Sequence, residues 1–428
     1  MARTARSLAF VLVCLVSLEL TARLYWRLRG VPFTEPARVL QAFYPGLREI
    51  DARRTRWNAA PTRVLLLGGS TLSPRWGNVQ AELREQLMFA GFPHIRIFNL
   101  GAPGLTSRDS RLEYEALGRE RFDLVVVYDG INEARANNVA PDMFRDDYEH
   151  YGWYESVNAL ARHHGQARWA LPYTLEYLGL GMRQLAFPSR YIPRNRPHPE
   201  VVGYGSTVRS AGPFEANLRA ILARAASRGE PVLLMTFAIW VPPDYSLERF
   251  QAGQLGYGTH VTPLELWGEP EHVQRAVAAH NEVVRALARE YPAMRFVDQA
   301  ALLAEDRRSF NDPCHLTLWG AHRFVENLLP AAVETLRQRQ PAGPAAALVG
   351  DGARVNAVRR AARSGVGGPA VLQRANQPTS RNARALHLPE GALAASWKVW
   401  TRYGNVSSAT ALFILSEIPG RPRRRPSY

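Results

Sequence analysis

The feature that most constrains this chain is a repeated alternation of short apolar runs with helical or polar stretches. Arg63–Leu67 (RVLLL) runs into Gly68-Gly69, and His94–Leu100 (HIRIFNL) and Phe122–Tyr128 (FDLVVVY) follow. Pro231–Ile239 (PVLLMTFAI) and a short Arg295–Val297 complete the set. Unbroken Val/Ile/Leu runs read as strands buried on both faces, the habit of parallel sheets. Between them, Gly77–Ala90 carries Val79, Leu83 and Leu87 at i, i+4, i+8, and Ser107–Glu120 opens on Thr106 or Ser107 as a cap. Phe214–Ser227, Glu271–Tyr291 and Leu316–Arg337 read as further helices. The pattern predicts an α/β layered fold with a mostly parallel sheet, whose functional groups gather where strands end and helices begin.

Length and composition narrow the function classes. At 428 residues with 46% hydrophobic, the chain has material for one large or two modest domains and is too apolar for wholesale disorder. Cys14 and Cys314 are the only cysteines, and neither CxxC nor HExxH occurs, so no disulfide scaffold, metal or cofactor is expected. The net charge is +15, but residues 341–428 hold thirteen Lys/Arg against three acids, a net of +10. That leaves +5 for residues 1–340, so no nucleic-acid partner is expected. The stretch 341–428 is low in complexity and ends in Arg421-Pro-Arg-Arg-Arg425, which reads as a disordered basic tail.

Two further regions stand apart. Arg3 and Arg6 precede an apolar run, Leu8–Leu18, with Glu19, Arg23, Arg27 and Arg29 after it. Residues 1–30 therefore read as a signal peptide or, in the absence of an A-x-A cleavage site, an uncleaved signal-anchor with the remainder exported to the periplasm or cell surface. Between the third and fourth strands lies an insertion, roughly 141–212, with ten aromatics in residues 141–191. Those rings serve either as a lid or sugar-stacking platform, with Trp153 and Trp169 as candidate binding residues, or as the core of a helical subdomain.

Four short motifs carry the chemistry. Gly68-Gly69-Ser70-Thr71 follows the first strand and places Ser70 at an expected helix N-terminus; it matches neither a phosphate loop nor GxSxG. Asn99-Leu100-Gly101 ends the second strand, where Gly101 can aim a backbone N–H at an oxyanion. Gly130-Ile131-Asn132-Glu133 ends the third, and Asn132 offers an amide donor at the same edge. Asp312-Pro313-Cys314-His315 precedes the last helix, where His315 can act as general base and Asp312 can hold its other ring nitrogen.

In their order and context these motifs resemble the SGNH, or GDSL-type, hydrolase superfamily over roughly residues 60–338. The resemblance implies a three-layer flavodoxin-like fold. It makes Ser70 the nucleophile, His315 the base and Asp312 its orienting acid, with Ser70 N–H, Gly101 N–H and the Asn132 amide as the oxyanion hole. Gly69 stands where the name-giving motif has Asp, and Glu133 where the third block commonly has Asp. The implied activity is hydrolysis of an acyl ester, acetyl by expectation, through an acyl-enzyme on Ser70. Membrane-anchored members acting on cell-surface polysaccharides make carbohydrate O-acyltransfer the alternative, with a saccharide as partner. A non-catalytic polysaccharide-binding module is a third reading, which the four intact polar residues disfavour.

Overall fold

A computed structural model describes residues 2–31, 38–52, 62–118, 120–192, 202–304 and 306–339. The basic tail expected at 341–428 lies outside the described residues. In chain order the elements are α1 (Ala2–Leu28), α2 (Pro45–Ala52), β1 (Thr62–Gly68), α3 (Val79–Phe89), β2 (Ile95–Asn99), α4 (Ser107–Ala116), β3 (Leu124–Tyr128) and α5 (Ile131–Asn137). There follow α6 (Gly152–Ala161), α7 (Ala170–Ala186), α8 (Ala211–Arg228), β4 (Val232–Met235), α9 (Leu247–Gln251), α10 (Pro270–Glu290), β5 (Arg295–Val297), α11 (Gln299–Leu303) and α12 (Leu318–Arg339).

The five strands form one sheet in the order β2-β1-β3-β4-β5, every neighbouring pair parallel. Residues alternate between faces along each strand. Val64, Leu66 and Val126 point to one side, packed with Leu83 and Leu87 of α3 and Phe324 and Leu328 of α12. Leu65, Leu67, Val125 and Val127 point to the other, packed with Leu112 of α4 and Leu218 and Ile221 of α8. The result is the expected α/β three-layer arrangement, and its 2-1-3-4-5 order is the flavodoxin-like one. In that order the chain winds in opposite senses from β1 and β3, which opens a crevice beyond their carboxyl ends. Gly68 pairs with Tyr128 and Leu66 with Asn99, so the motifs after β1, β2 and β3 emerge at one level. Gly68 is required there, because a Cβ would collide with the Tyr128 carbonyl oxygen.

Two elements are shorter than their apolar patterns. The run Pro231–Ile239 yields only Val232–Met235 as strand. Beyond it, Phe237 N–H donates to Asn281 Oδ1 and Ala238 N–H to the Tyr128 hydroxyl, so side chains take the backbone bonds that a strand would use. Helix α4 ends at Ala116, because Leu117 is extended.

The insertion is a helical subdomain built around its own rings. Tyr148, Tyr151 and Tyr154 are buried together, with Phe144, Trp153 and Ile192 against them. It also receives the end of α1. Glu19 accepts from the backbone N–H groups of Ala170 and Leu171, each at 2.9 Å. Trp26 is fully buried, donates to Thr174 Oγ1 at 3.0 Å, and meets the Tyr177 ring edge-on at 5.6 Å. By length and composition, Thr4–Leu28 suffices to cross a membrane.

Candidate active site

The site is built from three strand ends and one distant loop. After β1 the chain makes a single 3₁₀ turn, Ser70–Leu72, in which Ser73 N–H donates to the Ser70 carbonyl. The long helix expected to open at Ser70 begins only at Val79, so Ser70 owes its position to this turn rather than to a helix N-terminus. The loop Phe310–Leu316 closes on itself through an antiparallel bridge between its ends and an Asn311 N–H to His315 carbonyl bond. Within it, Asp312 Oδ1 accepts the backbone N–H of His315 at 2.9 Å and of Cys314 at 3.2 Å. These local bonds fix the carboxylate under the ring it serves.

Ser70 Oγ stands 2.8 Å from His315 Nε2, and His315 Nδ1 stands 2.8 and 2.7 Å from the two Asp312 oxygens. Because a carboxylate only accepts, the partners assign the proton to Nδ1 and leave Nε2 as acceptor for the serine hydroxyl. Ser70, Asp312 and His315 are all buried, Ser70 at 7% exposure and His315 at 4%. Cys314 Sγ lies 3.7 Å from His315 Nδ1, and the ligand atoms of Asp312, Cys314 and His315 fall within 4.8 Å of one another. Burial pushes the Cys314 thiol well up, which keeps it a neutral filler.

The remaining expected residues divide. Asn132 lines the recess at Ser70 together with Gly69, Thr71, Leu105, Gly130 and Phe237. Its Nδ2 donates one hydrogen to the Leu105 carbonyl at 2.7 Å, and an amide nitrogen carries two. A Cβ on residue 69 would come within 3.0 Å of that Nδ2, which accounts for Gly69 where the family motif has Asp. Gly101 lies beside Gly69, but its N–H already donates to Asn99 Oδ1 at 2.8 Å. The oxyanion donor expected from Gly101 is therefore engaged. Trp153 and Trp169 are not among the residues lining the recess. Trp153 packs edge-on against Phe43 at 5.2 Å and Tyr44 at 6.4 Å, inside the protein, and Trp169 precedes α7.

Two other tryptophans take the places that reading missed. Trp267 donates its indole N–H to Asn132 Oδ1 at 3.0 Å, which fixes the amide with its nitrogen toward Gly69. Trp76 stacks on the His315 ring at 4.6 Å and 24°. Asn99 also donates to the Leu72 carbonyl at 2.6 Å, tying the end of β2 to the Ser70 turn. An Asn two residues before a Gly is a signal for this side-chain-to-backbone closure, and it was open to reading.

Behind Asn132, Glu133 is fully buried and accepts the Ser107 N–H at the start of α4. Asp129 accepts from the Ser110 hydroxyl at 2.7 Å. Burial raises Glu133 to about 7, and Asp129 is raised by burial and by the neighbouring Glu133. The recess itself is tight, with a free volume of about 0 Å³. A wider groove of about 880 Å³ runs along the open edge of β2, lined by Asn78, Gln80, Arg84, Glu85, Asn99 and Gly101 among others.

No family model matches this chain, and no curated protein matches it. Solved structures similar to it include an acetylxylan esterase from Geobacillus stearothermophilus, at 16% identity over 63% of this chain and 94% of that one, with a TM-score of 0.34. Another is an acetyl xylan esterase, at 14% identity, 63% and 98% coverage, and a TM-score of 0.34. An alpha/beta hydrolase enzyme from the metagenome of Lake Arreo, Spain, is similar at 17% identity, 65% and 97% coverage, and a TM-score of 0.35. At these values the likenesses bear no weight on activity, and the functional reading stands on the site's own geometry.

Proposed function

We propose that the chain is a serine-dependent ester hydrolase of SGNH type, acting on small acyl esters through Ser70. The observation that carries this is the continuous buried chain Ser70 Oγ, His315 Nε2, His315 Nδ1, Asp312. In the first half-reaction Ser70 Oγ bonds to the acyl carbon while its proton passes to His315 Nε2. The tetrahedral oxyanion is received by the second Asn132 N–H and by backbone N–H at Ser70. Collapse expels the alcohol, which takes the proton from His315 and leaves an acyl-Ser70 ester. A second nucleophile, deprotonated at Nε2, attacks that ester and frees Ser70. Asp312 holds the ring and stabilises the imidazolium, and the Trp76 face against it favours the same charged form.

The tight recess favours an acetyl group, and no cofactor enters these steps. With water as second nucleophile the enzyme is an esterase. The polar groove beside Gly101 favours a second reading, O-acetyl transfer to a saccharide hydroxyl. Purified protein given an activated acetyl ester, with and without oligosaccharides, separates the two by mass spectrometry. Acetate alone supports hydrolysis, acetyl-sugar formed at its expense supports transfer, and turnover by Ser70→Ala ends both.

We infer that α1 is an uncleaved signal-anchor and that the catalytic domain faces away from the cytoplasm. The support is that Ala22 and Trp26 are core residues, so cleavage after the apolar run would remove part of the fold. Protease added to spheroplasts is expected to digest the domain without lysis; digestion only after lysis contradicts that side.

A further inference from the structure

Helix α7 carries an apolar face that no described residue covers. Leu171, Leu175, Leu178, Met182 and Leu185 recur at alternating spacings of four and three, which keeps them on one side of a helix. Leu175, Leu178, Met182 and Leu185 are all exposed, Leu185 by 82%, and Phe187 extends the stripe. Isolated exposed apolar residues need no explanation, but a row of four along one helix does.

The neighbour of this face is α1. Contacts pair Glu19 with Ala170 and Leu171, Trp26 with Thr174, and Arg29 with Tyr177, so the two helices run side by side in the same direction. On α1, Leu20, Leu24 and Leu28 are exposed at i, i+4, i+8, in line with the apolar run that precedes them. The exposed faces of the two helices therefore make one apolar surface. Trp169 stands at the head of α7 with 65% exposure, at the level of Glu19, and Arg23 reaches the Arg168 carbonyl beside it. An exposed Trp flanked by arginines is the composition of a membrane–water boundary.

Length decides the occupant. Only residues 4–18 of α1 are exposed on every side. At 1.5 Å per residue that free part covers about 22 Å, short of a hydrocarbon core of ~30 Å. A bilayer spanned by α1 must therefore extend several residues beyond Leu18, to the level where α7 begins. We propose that the bilayer surface is the partner of the α7 face: the insertion docks on the membrane around the anchor and holds the catalytic domain in one orientation above it. This rests on the anchor reading of α1.

The test uses the full chain in vesicles of phosphatidylethanolamine and phosphatidylglycerol, with Cys14→Ser and an environment-sensitive fluorophore on Leu175→Cys or Leu178→Cys. Arg308→Cys, on an exposed turn, is the control. Lipids brominated near the headgroup are expected to quench the α7 probes at least several-fold more than the control. Equal, weak quenching at all three positions, in protein that resists carbonate extraction, overturns docking and leaves the anchor standing. Release of the protein by carbonate overturns both. A blue-shifted α7 probe untouched by brominated lipid has protein over it, a second copy included, and also overturns the proposal.

Discussion

The carboxyl edge of the sheet and the outer face of α7 are opposites in chemistry. At the sheet edge, polar side chains are buried, and Ser70, His315, Asp312 and Asn132 each stand within hydrogen-bond reach of a partner. On α7, leucines are exposed and no described residue answers them. Burying a polar group costs free energy unless it is paired, and leaving a row of apolar groups in water costs free energy unless something outside covers them. The first region's work is thus completed inside the molecule, whereas the second points to a surface beyond it.

The largest expected effect lies at the first region. Ser70→Ala and His315→Ala should each lower kcat/KM by about 10⁴-fold or more, because the two act as a unit. Circular dichroism should show the fold unchanged. Residual activity within tenfold of wild type would break the contrast, since buried pairing at the sheet edge would then be structural only.

Where α1 meets α7, Trp26→Ala removes a fully buried indole and should cost about 3–5 kcal/mol in urea unfolding. A cost under about 1 kcal/mol would mean that α1 is a detachable tether. Asn132→Ala should reduce kcat by about 10²–10³, the range for one oxyanion donor. Trp267→Phe keeps the ring but frees the Asn132 carbonyl; it should cost about tenfold in kcat with little change in KM, at roughly 1–1.5 kcal/mol for one hydrogen bond. Equal losses in the two variants would mean that Trp267 holds the loop rather than the amide.

The smallest effect concerns Glu133. A carboxyl raised to about 7 by burial keeps its proton in the fold over a range where the unfolded chain, near 4.5, has lost it. Its contribution to stability is therefore full below pH 4.5 and declines as pH rises through about 7. Glu133→Gln keeps the acceptor for Ser107 N–H and removes the charge, so its stability should fall less than wild type across that interval. Parallel curves in urea titrations would show that Glu133 does not titrate there.

The strands were legible because their runs are continuous and buried on both faces, and Asp312 and His315 were legible because three residues of local loop bring them together. Ser70 to His315 spans 245 positions, and only the family-like order of motifs joined them. Trp76 and Trp267 had no such signal. Their partners arrive from distant parts of the chain, Asn132 being 135 residues from Trp267, and an indole N–H donor cannot be told from a core ring by spacing. The aromatic insertion was ambiguous for the same reason: Tyr148 and Tyr154 are core, Trp169 is surface, and composition treats them alike.

The central claim is that Ser70 is a nucleophile activated by His315. Its most direct test is peptide mass mapping of the full chain after brief exposure to a fluorophosphonate. The expected result is one adduct, on the peptide holding Ser70, absent from Ser70→Ala and strongly slowed in His315→Ala. An adduct on any other serine, or equal labelling with and without His315, would contradict it.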